Sequence, residues 1–283
     1  MHHAETTTST QPQELDWQQL LETALSTPGS VGNVYNRFYE YSFLNQTFLR
    51  LQGVTEPVAT YKRWQALGRQ VLRGSRAHAI IRPMLARVPA PEGQHEPDDE
   101  AEPRQRLLGF KLVRCLFTVS QTEGEPLPPV ELPRWDLATA LDRLTIRQVP
   151  FDLLDGNTQG YSVGRDYAIN PVAADPARTT FHELGHIVLG HTEAAPDVEQ
   201  QHRGEGEFQA EATAYLCLNE LERLTEEAAS HSRGYIQHWL RGQRPSDAAI
   251  RAVFAATDAI LKAGRVTATA PNIVNFTVPN LGQ

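Results

Sequence analysis

The sequence has little cysteine and no long apolar segment, and each absence excludes a class of protein. Two cysteines, Cys115 and Cys217, occur among 283 residues, and both have mostly apolar neighbours. Two thiols cannot form the disulfide framework of small secreted domains, so we expect both to be buried and free. No apolar run approaches the roughly 20 residues that cross a bilayer, so a membrane-spanning helix is not expected.

The N-terminal segment, residues 1–13, lacks the apolar stretch that a secretory signal requires. It is rich in Thr, Gln and Ser, and we predict that it is disordered. The absence of a signal and of a disulfide framework together predict a cytoplasmic protein.

Charge is distributed unevenly along the chain, whose formal net charge is -8. Between residues 50 and 87, eight basic side chains stand against one acid, Glu56. Between residues 182 and 227, acids are many and basic residues few. This asymmetry predicts that the first half meets a polyanion and that the second half does not.

Local patterns predict an α+β protein of two domains. Apolar residues at helical spacing predict helices over residues 16–25, 33–51 and 61–72. Alternating apolar residues predict strands over 78–84 and 110–119, and the second half is predicted to be mostly helical with a small sheet. The proline-rich stretch 124–133 is the predicted linker.

These patterns divide the chain into five parts. They are a disordered segment at 1–13, a basic domain at 14–123, the linker at 124–133, a second domain at 134–265 and a tail at 266–283.

The segment His-Glu-Leu-Gly-His at residues 182–186 is the most informative motif. Asp175 and Pro176 predict a helix start shortly before it, which places the two histidines one turn apart on one face. Two imidazoles so placed can bind one metal ion, and Glu183 between them can act as general base on a water molecule that zinc activates. The motif therefore predicts a zinc-dependent hydrolase, most simply a peptidase, with His182 and His186 as ligands.

A catalytic zinc ion needs a third protein ligand, and a following helix offers two candidates. Glu207 and Glu211 are four residues apart on one helical face, and their distance from the motif is close to that in thermolysin-like enzymes. We predict Glu207 as the third ligand and Glu211 as the partner of a ligand histidine. The reverse assignment of the two acids stays open.

Other side chains are candidates for supporting roles. His191 follows His186 by five residues, whereas a metzincin-type third histidine follows by six, so His191 is predicted at the surface or beside a ligand. His202 is predicted in a loop. An oxyanion formed at the metal needs a stabilising partner, and Tyr161 and Tyr167 are the candidates, with Tyr161 preferred.

The first half mixes cations with aromatic residues. Cations can follow a phosphate backbone and aromatic faces can stack on bases, which suits single-stranded nucleic acid. A domain with aromatic core residues and a solvated basic face would show the same composition, and that alternative stays open. The candidate DNA contacts are Tyr41, Asn45, Lys62, Arg63, Trp64, Arg69, Arg73 and Arg76.

Three separated segments, at residues 41–46, 64–74 and 117–128, resemble the N-terminal domain of ArdC-type antirestriction proteins. The resemblance implies single-stranded DNA binding, a C-terminal zinc metallopeptidase domain and protection of incoming plasmid or phage DNA against restriction. The 182–186 motif and the acids at 207–211 also resemble ImmA/IrrE-type peptidases, which supports Glu207 as a ligand.

The expected cofactor is Zn²⁺, with Mn²⁺ as an alternative. The expected partners are single-stranded DNA and a protein or peptide substrate, with no membrane. Two other functions stay open: a regulatory peptidase of the ImmA type without a DNA role, and a DNA-binding protein whose metal is purely structural.

Overall fold

The computed structural model describes residues 14–27, 41–87, 105–127, 133–153, 157–193, 196–242 and 244–266. The segment predicted to be disordered, half of the predicted linker and nearly all of the predicted tail lie outside these ranges, as does much of the helix predicted from residue 33. Within the described residues, no helix is both long and apolar enough to cross a membrane.

Helices and small sheets combine in an α+β arrangement. The described residues contain helices α1 (Trp17–Ser26), α2 (Phe43–Leu51), α3 (Tyr61–Ala66), α4 (Leu137–Leu144), α5 (Pro176–Leu189), α6 (Pro196–Glu220), α7 (Glu226–Gly242) and α8 (Asp247–Ala263). They also contain strands β1 (Val58–Thr60), β2 (Arg69–Val71), β3 (His78–Arg87), β4 (Gln105–Thr118), β5 (Thr122–Gly124), β6 (Arg134–Trp135), β7 (Arg147–Gln148), β8 (Gly160–Val163), β9 (Asp166–Ile169) and β10 (Arg265–Val266).

The first sheet is antiparallel, with strand order β1-β4-β3. Its two long strands confirm the strands predicted over 78–84 and 110–119. Helix α2 covers the outer edge of β3. The side-chain amide of Asn45 forms hydrogen bonds with both the N–H and the C=O of Ile81. The side-chain amide of Gln52, directly after the helix, forms the same two bonds with Ala79. Because the two amides lie two helical turns apart, they satisfy alternate residues of an edge strand that would otherwise need another partner.

The helix predicted over 61–72 is wrong beyond its first six residues. Gly68 has φ +70, a conformation that favours glycine, and it turns the chain out of α3 into β2. Strand β2 pairs with β5, which lies more than fifty residues later in the chain. Arg69 stabilises this strand pair by hydrogen bonds. Its guanidinium donates to the Thr122 hydroxyl and to the carbonyl groups of Thr122, Gly124 and Glu125. Long-range pairing therefore overrides the local helical spacing.

One buried core connects the two halves of the chain. It contains Trp17 of α1 and Phe43 of α2 together with residues of α5, α6 and α8. The rings of Phe43 and Phe254 lie 5.9 Å apart, and Asp258 accepts a hydrogen bond from the Phe43 N–H at 2.9 Å. The predicted linker at 124–133 therefore does not separate two independent cores, because α1 and α2 bury their apolar faces against the second half.

Both cysteines are free, as the sequence predicted, with Cys217 buried and Cys115 half-buried. Burial raises the pKa of each thiol. Neither side chain is therefore poised as a thiolate nucleophile at neutral pH.

The second sheet, with strand order β7-β9-β8, packs beside α5. Strand β9 is parallel to β7 and antiparallel to β8. Gly160 allows β8 to approach the helix, because a Cβ atom there would lie 2.7 Å from Cγ2 of Thr179. This close packing brings the strand beside the motif at 182–186.

Candidate metal centre

Helix α5 places the two histidines of the motif side by side. The helix begins after Asp175, whose carboxylate accepts a first-turn backbone N–H at 2.9 Å, and it ends before Gly190, which has φ +79. His182 and His186 lie one turn apart on this helix, and their Nε2 atoms are 3.1 Å apart. The helix start and the facing imidazoles are those that the sequence predicted.

A close contact between α5 and α6 brings the third predicted ligand to the histidines. A Cβ atom on Gly185 would lie 3.1 Å from Cα of Ala210, so the two helices meet at small residues. Glu207 lies one turn before this contact. Its Oε2 atom is 3.3 Å from Nε2 of His182, and its Oε1 atom is 3.6 Å from Nε2 of His186.

The three side chains fit a divalent metal ion. One nitrogen or oxygen from each lies within 4.8 Å of the others. Ligand atoms that share one zinc ion at about 2.0–2.1 Å lie roughly 3.0–3.4 Å apart, close to the distances between these atoms. Two imidazoles and one carboxylate suit zinc and also manganese. The Glu207 side chain is 48% exposed, so solvent reaches the open side of the site.

Glu211 lies on the opposite side of His182 from this ligand cluster. Its Oε2 atom is 3.3 Å from Nδ1 of His182, an ion-pair distance without hydrogen-bond geometry. Arg178 donates to its Oε1 atom at 3.0 and 2.8 Å, and Ser232 donates to the same oxygen. Burial raises the pKa of Glu211, but its polar partners outweigh this effect and lower the pKa to about 2. The geometry favours Glu207 over Glu211 as the ligand and leaves Glu211 to orient His182.

The acids around His182 control its protonation. Burial lowers the pKa of His182, but the neighbouring carboxylates outweigh burial and raise it to about 9. In return, hydrogen bonds from the two histidines lower the pKa of Glu207. Without an ion, His182 therefore holds a proton at neutral pH, and a metal ion would take the place of that positive charge.

His191 lies beside His186, a predicted ligand, and this was one of its two predicted positions. Its Nδ1 atom is 3.0 Å from Nδ1 of His186, and its Nε2 atom is 3.0 Å from Oε1 of Gln209. His202 lies within α6 rather than in the predicted loop, because that helix already begins at Pro196.

Glu183 points from α5 to the second sheet. It is 7% exposed, and its Oε2 atom accepts a hydrogen bond from the Ser162 hydroxyl at 2.6 Å. This contact fixes one of the two carboxylate oxygens of Glu183. Sequence reasoning missed Ser162, because no local pattern links a strand residue to a motif that follows it by about twenty positions.

Neither tyrosine chosen from the sequence faces the metal centre. Tyr161 is adjacent to Ser162 in β8 and so points to the other face of the strand, where its hydroxyl donates to Asp152 at 2.6 Å. Tyr167 is buried, and its hydroxyl donates to Gln148 at 3.3 Å. The prediction that Tyr161 stabilises an oxyanion is therefore wrong, and Tyr167 is a core residue.

A different tyrosine, Tyr235 of α7, lies near enough to the centre for the charges of Glu207 and Glu211 to act on its phenol. On the same helix, Ser232 reaches Glu211 and Trp239 packs against an earlier part of α6. This register places Tyr235 level with Glu207. Burial raises the pKa of the Tyr235 phenol, and the charges of both carboxylates raise it further. No motif marks this residue, since its position depends on how α7 packs against α6.

Four of the eight predicted DNA contacts are engaged inside the protein. Tyr41 and Trp64 are buried, and the Trp64 indole donates to the Phe117 carbonyl at 2.8 Å. Asn45 holds the edge of β3, and Arg69 fastens β2 to β5. The prediction is therefore wrong for these four, because buried rings cannot stack on bases and the two polar groups already have protein partners.

The other four predicted contacts are exposed cations. The described residues provide no ion-pair partner for any of them, nor for three further exposed arginines of β3 and β4. The predicted contacts are Lys62, Arg63, Arg73 and Arg76, and the additional arginines are Arg82, Arg106 and Arg114.

Known proteins resemble the chain both in sequence and in fold. The family model described as the N-terminal domain of anti-restriction factor ArdC matches residues 6–114. An uncharacterised protein, y4eC, of Sinorhizobium fredii (strain NBRC 101917 / NGR234) is 27% identical over 205 residues, which are 68% of this chain and 65% of that protein. The aligned part thus spans less than two thirds of that relative.

Solved structures extend the comparison to the whole fold. The Mn(II)-bound crystal structure of the antirestriction protein ArdC from plasmid R388 is similar with a TM-score of 0.50 and 17% identity, over 89% of this chain and 98% of that one. The metal-free structure of the same protein gives a TM-score of 0.48 and 16% identity, over 88% and 96%. Residues 6–114 thus match the N-terminal domain of anti-restriction factor ArdC, and the chain shares the fold of the Mn(II)-bound R388 protein.

Proposed function

We propose that this protein acts in antirestriction, binds single-stranded DNA through its first half and carries a metal-dependent peptidase site in its second half. One observation carries the peptidase proposal: a general-base candidate, Glu183, lies on the same helix as two histidines whose nitrogens converge with the partly exposed carboxylate of Glu207. The antirestriction role rests on the family, whose matched model is named for an anti-restriction factor.

His182, His186 and Glu207 would hold the metal ion. Zinc is our first choice, since two imidazoles and a carboxylate form a common catalytic zinc site. Manganese is the alternative, supported by the Mn(II)-bound form of the R388 protein. When bound, either ion would polarise a peptide carbonyl and make water more acidic.

Glu183 would act as the general base and then as the general acid. It takes a proton from the attacking water and later gives it to the leaving amine, so that the carboxylate is restored. Ser162 would hold one carboxylate oxygen by its 2.6 Å hydrogen bond, which fixes the plane of the group. Low exposure of Glu183 limits competition from bulk water during these transfers.

Tyr235 is our candidate for stabilising the negative charge that develops on the carbonyl oxygen. It lies level with Glu207 on the exposed side of the site, where a substrate would enter. The raised pKa keeps its phenol protonated at neutral pH, and a protonated phenol can donate a hydrogen bond to an oxyanion.

The exposed cations of the first half would bind the DNA backbone. Lys62, Arg63, Arg73 and Arg76 belong to one continuous stretch of sequence, and they are exposed without ion-pair partners in the described part of the chain. Phosphate groups would supply the missing negative charge. Since Trp64 is buried, the structure supports contacts to the backbone more strongly than stacking on bases.

A peptidase assay with a matched pair of variants tests the catalytic proposal. The protein is loaded with zinc or with manganese and incubated with a mixed peptide library, and the products are read by mass spectrometry. We expect Glu183→Gln to keep its metal and lose about 10²–10⁴-fold in cleavage rate. Glu193→Gln makes the same chemical change at an exposed position and should cleave like the wild type. Equal cleavage by Glu183→Gln, or none by the wild type, would leave a purely structural metal as the better explanation.

A further inference from the structure

A chain of three hydrogen-bonding side chains runs from a predicted metal ligand to the last helix of the core. Nδ1 of His186 lies 3.0 Å from Nδ1 of His191, and Nε2 of His191 lies 3.0 Å from Oε1 of Gln209. The Gln209 amide donates in turn to the carbonyl of Ala249 in α8 at 3.4 Å. His191 and Gln209 are both partly buried.

The Ala249 carbonyl at the end of this series of hydrogen bonds determines which atom is the donor in each of them. Ala249 can only accept, so Gln209 presents its NH₂ group to α8 and its oxygen to His191. That oxygen accepts the N–H of His191 Nε2, which leaves a lone pair on His191 Nδ1. His186 must then donate from Nδ1, and its own lone pair is on Nε2. This is the nitrogen that faces His182 and Glu207.

Local geometry holds the His191 ring in place. Gly190 has φ +79, and the N–H of His191 bonds the carbonyl of His186 at 3.0 Å, so the chain folds back over the end of α5. On another side, a Cβ atom at Gly206 of α6 would lie 3.5 Å from the His191 ring, so the backbone of α6 passes close to that ring. The ring is thus confined between two helices with its Nδ1 atom directed at the ligand.

The two ligand histidines therefore have different partners. The Nδ1 atom of His182 faces the carboxylate of Glu211, whereas that of His186 faces a neutral imidazole. The Glu211 carboxylate adds negative charge near the metal, whereas the neutral side chains of His191 and Gln209 orient the His186 ring without adding charge. Orientation and tautomer control by such partners is worth about 10–100-fold in metal affinity.

We propose that His191 and Gln209 are positioning residues, which fix the tautomer and the orientation of His186 for metal binding and link the metal centre to α8. The proposal rests on the metal centre of the proposed function but not on peptidase activity. His191 is not a ligand in this arrangement, because its Nδ1 atom points to Nδ1 of His186, on the side of that ring away from the ligand cluster.

The test compares two substitutions of His191 by their affinity for zinc, measured by competition with a chromophoric chelator. His191→Phe keeps an aromatic ring but removes the acceptor, and we expect affinity to fall about 10–100-fold. His191→Asn can place its side-chain oxygen near the former Nδ1 position and should recover most of that loss. Gln209→Leu breaks the chain one step further away and should cause a smaller loss in the same direction.

A second readout separates positioning from simple packing. In the zinc-loaded wild type, ¹H–¹⁵N spectra of the imidazoles should show a proton on Nδ1 of His186 and one on Nε2 of His191. Cobalt-substituted His191→Phe should show an altered visible spectrum, and its thermal unfolding without metal should match that of His191→Asn.

Three results would overturn the proposal: unchanged affinity in His191→Phe, equal losses in the Phe and Asn variants, or a proton on Nε2 of His186 in the metal-free protein at alkaline pH. Failure of the wild type to bind zinc, cobalt or manganese would instead refute the metal centre itself. Zinc binding without hydrolysis of any peptide would remove the proposed activity and leave the positioning roles standing.

Discussion

The metal centre and the basic surface of the first half differ in how their charges are satisfied. Around His182, acids and bases lie within 3.6 Å of partners supplied by α5, α6 and α7. On the basic surface, the exposed cations have no ion-pair partner in the described part of the chain. The first site is preorganised by the fold, whereas the proposed DNA surface would gain its negative partners only from a bound molecule. Substitutions should therefore act on metal binding and catalysis in one region, and on salt-dependent association in the other.

Trp64→Ala gives the largest expected change in stability and tests whether the aromatics of the first half belong to the core. Removing this fully buried indole should cost about 3–5 kcal/mol of unfolding free energy, because it leaves a cavity and removes the hydrogen bond from the indole to the Phe117 carbonyl. Chemical denaturation measures the effect. The neighbouring exposed Arg63→Ala should change stability by less than about 0.5 kcal/mol. A Trp64→Ala protein as stable as the wild type but weak in DNA binding would restore a stacking role for the indole.

Glu207→Ala should give the next largest effect, a loss of zinc affinity of more than about 100-fold. Loss of a ligand should exceed the 10–100-fold cost of losing a residue that only supports one. Isothermal titration of the metal-free protein measures the change, and Glu205→Ala on the same helix is the control. Full metal affinity in Glu207→Ala would reopen the assignment of Glu211 as the ligand.

The parts of the metal centre that were predictable from the sequence are those set by one helix. The spacing of His182 and His186 determines where their side chains point once a helix forms, and Asp175 marks where that helix begins. Glu207 was predictable because a second helix repeats the same four-residue spacing. Ser162 and Tyr235 were not, since a strand and a third helix bring them to the site by tertiary packing.

The basic half shows why composition alone misassigns side chains. Arg69 and Arg73 are four residues apart and look alike in the sequence. Arg69 nevertheless forms hydrogen bonds that stabilise the β2–β5 pair, whereas Arg73 is exposed. The difference arises because β2 pairs with residues 122–124, a contact that no local pattern reveals. Element type was predicted well for the long strands and for α5, and wrongly where β2 follows α3.

The basic surface can be tested by salt dependence. We expect the double variant Lys62→Ala/Arg63→Ala to bind single-stranded DNA more weakly, with the slope of log affinity against log salt concentration reduced by about 1.4, or 0.7 for each lost phosphate contact. Fluorescence anisotropy over a range of salt concentrations measures the slope. Arg147→Ala removes an exposed cation of the second half that pairs with Asp166, and it should leave the slope unchanged. An unchanged slope in the double variant would remove these two cations from the DNA surface.

The smallest expected effect is a pH dependence in which the stability of the metal-free protein and its affinity for zinc change in opposite directions. The pKa of His182 is raised from 6.5 to about 9 in the metal-free fold, so its ion pairs stabilise fully below pH 6.5 and are lost as pH rises to 9. Metal-free protein should therefore lose some stability over this range. Zinc affinity should rise over the same range, because binding at pH 7 displaces about one proton. Calorimetry in two buffers of different ionisation enthalpy counts that proton, and a count of zero would show that His182 is already neutral before the metal arrives.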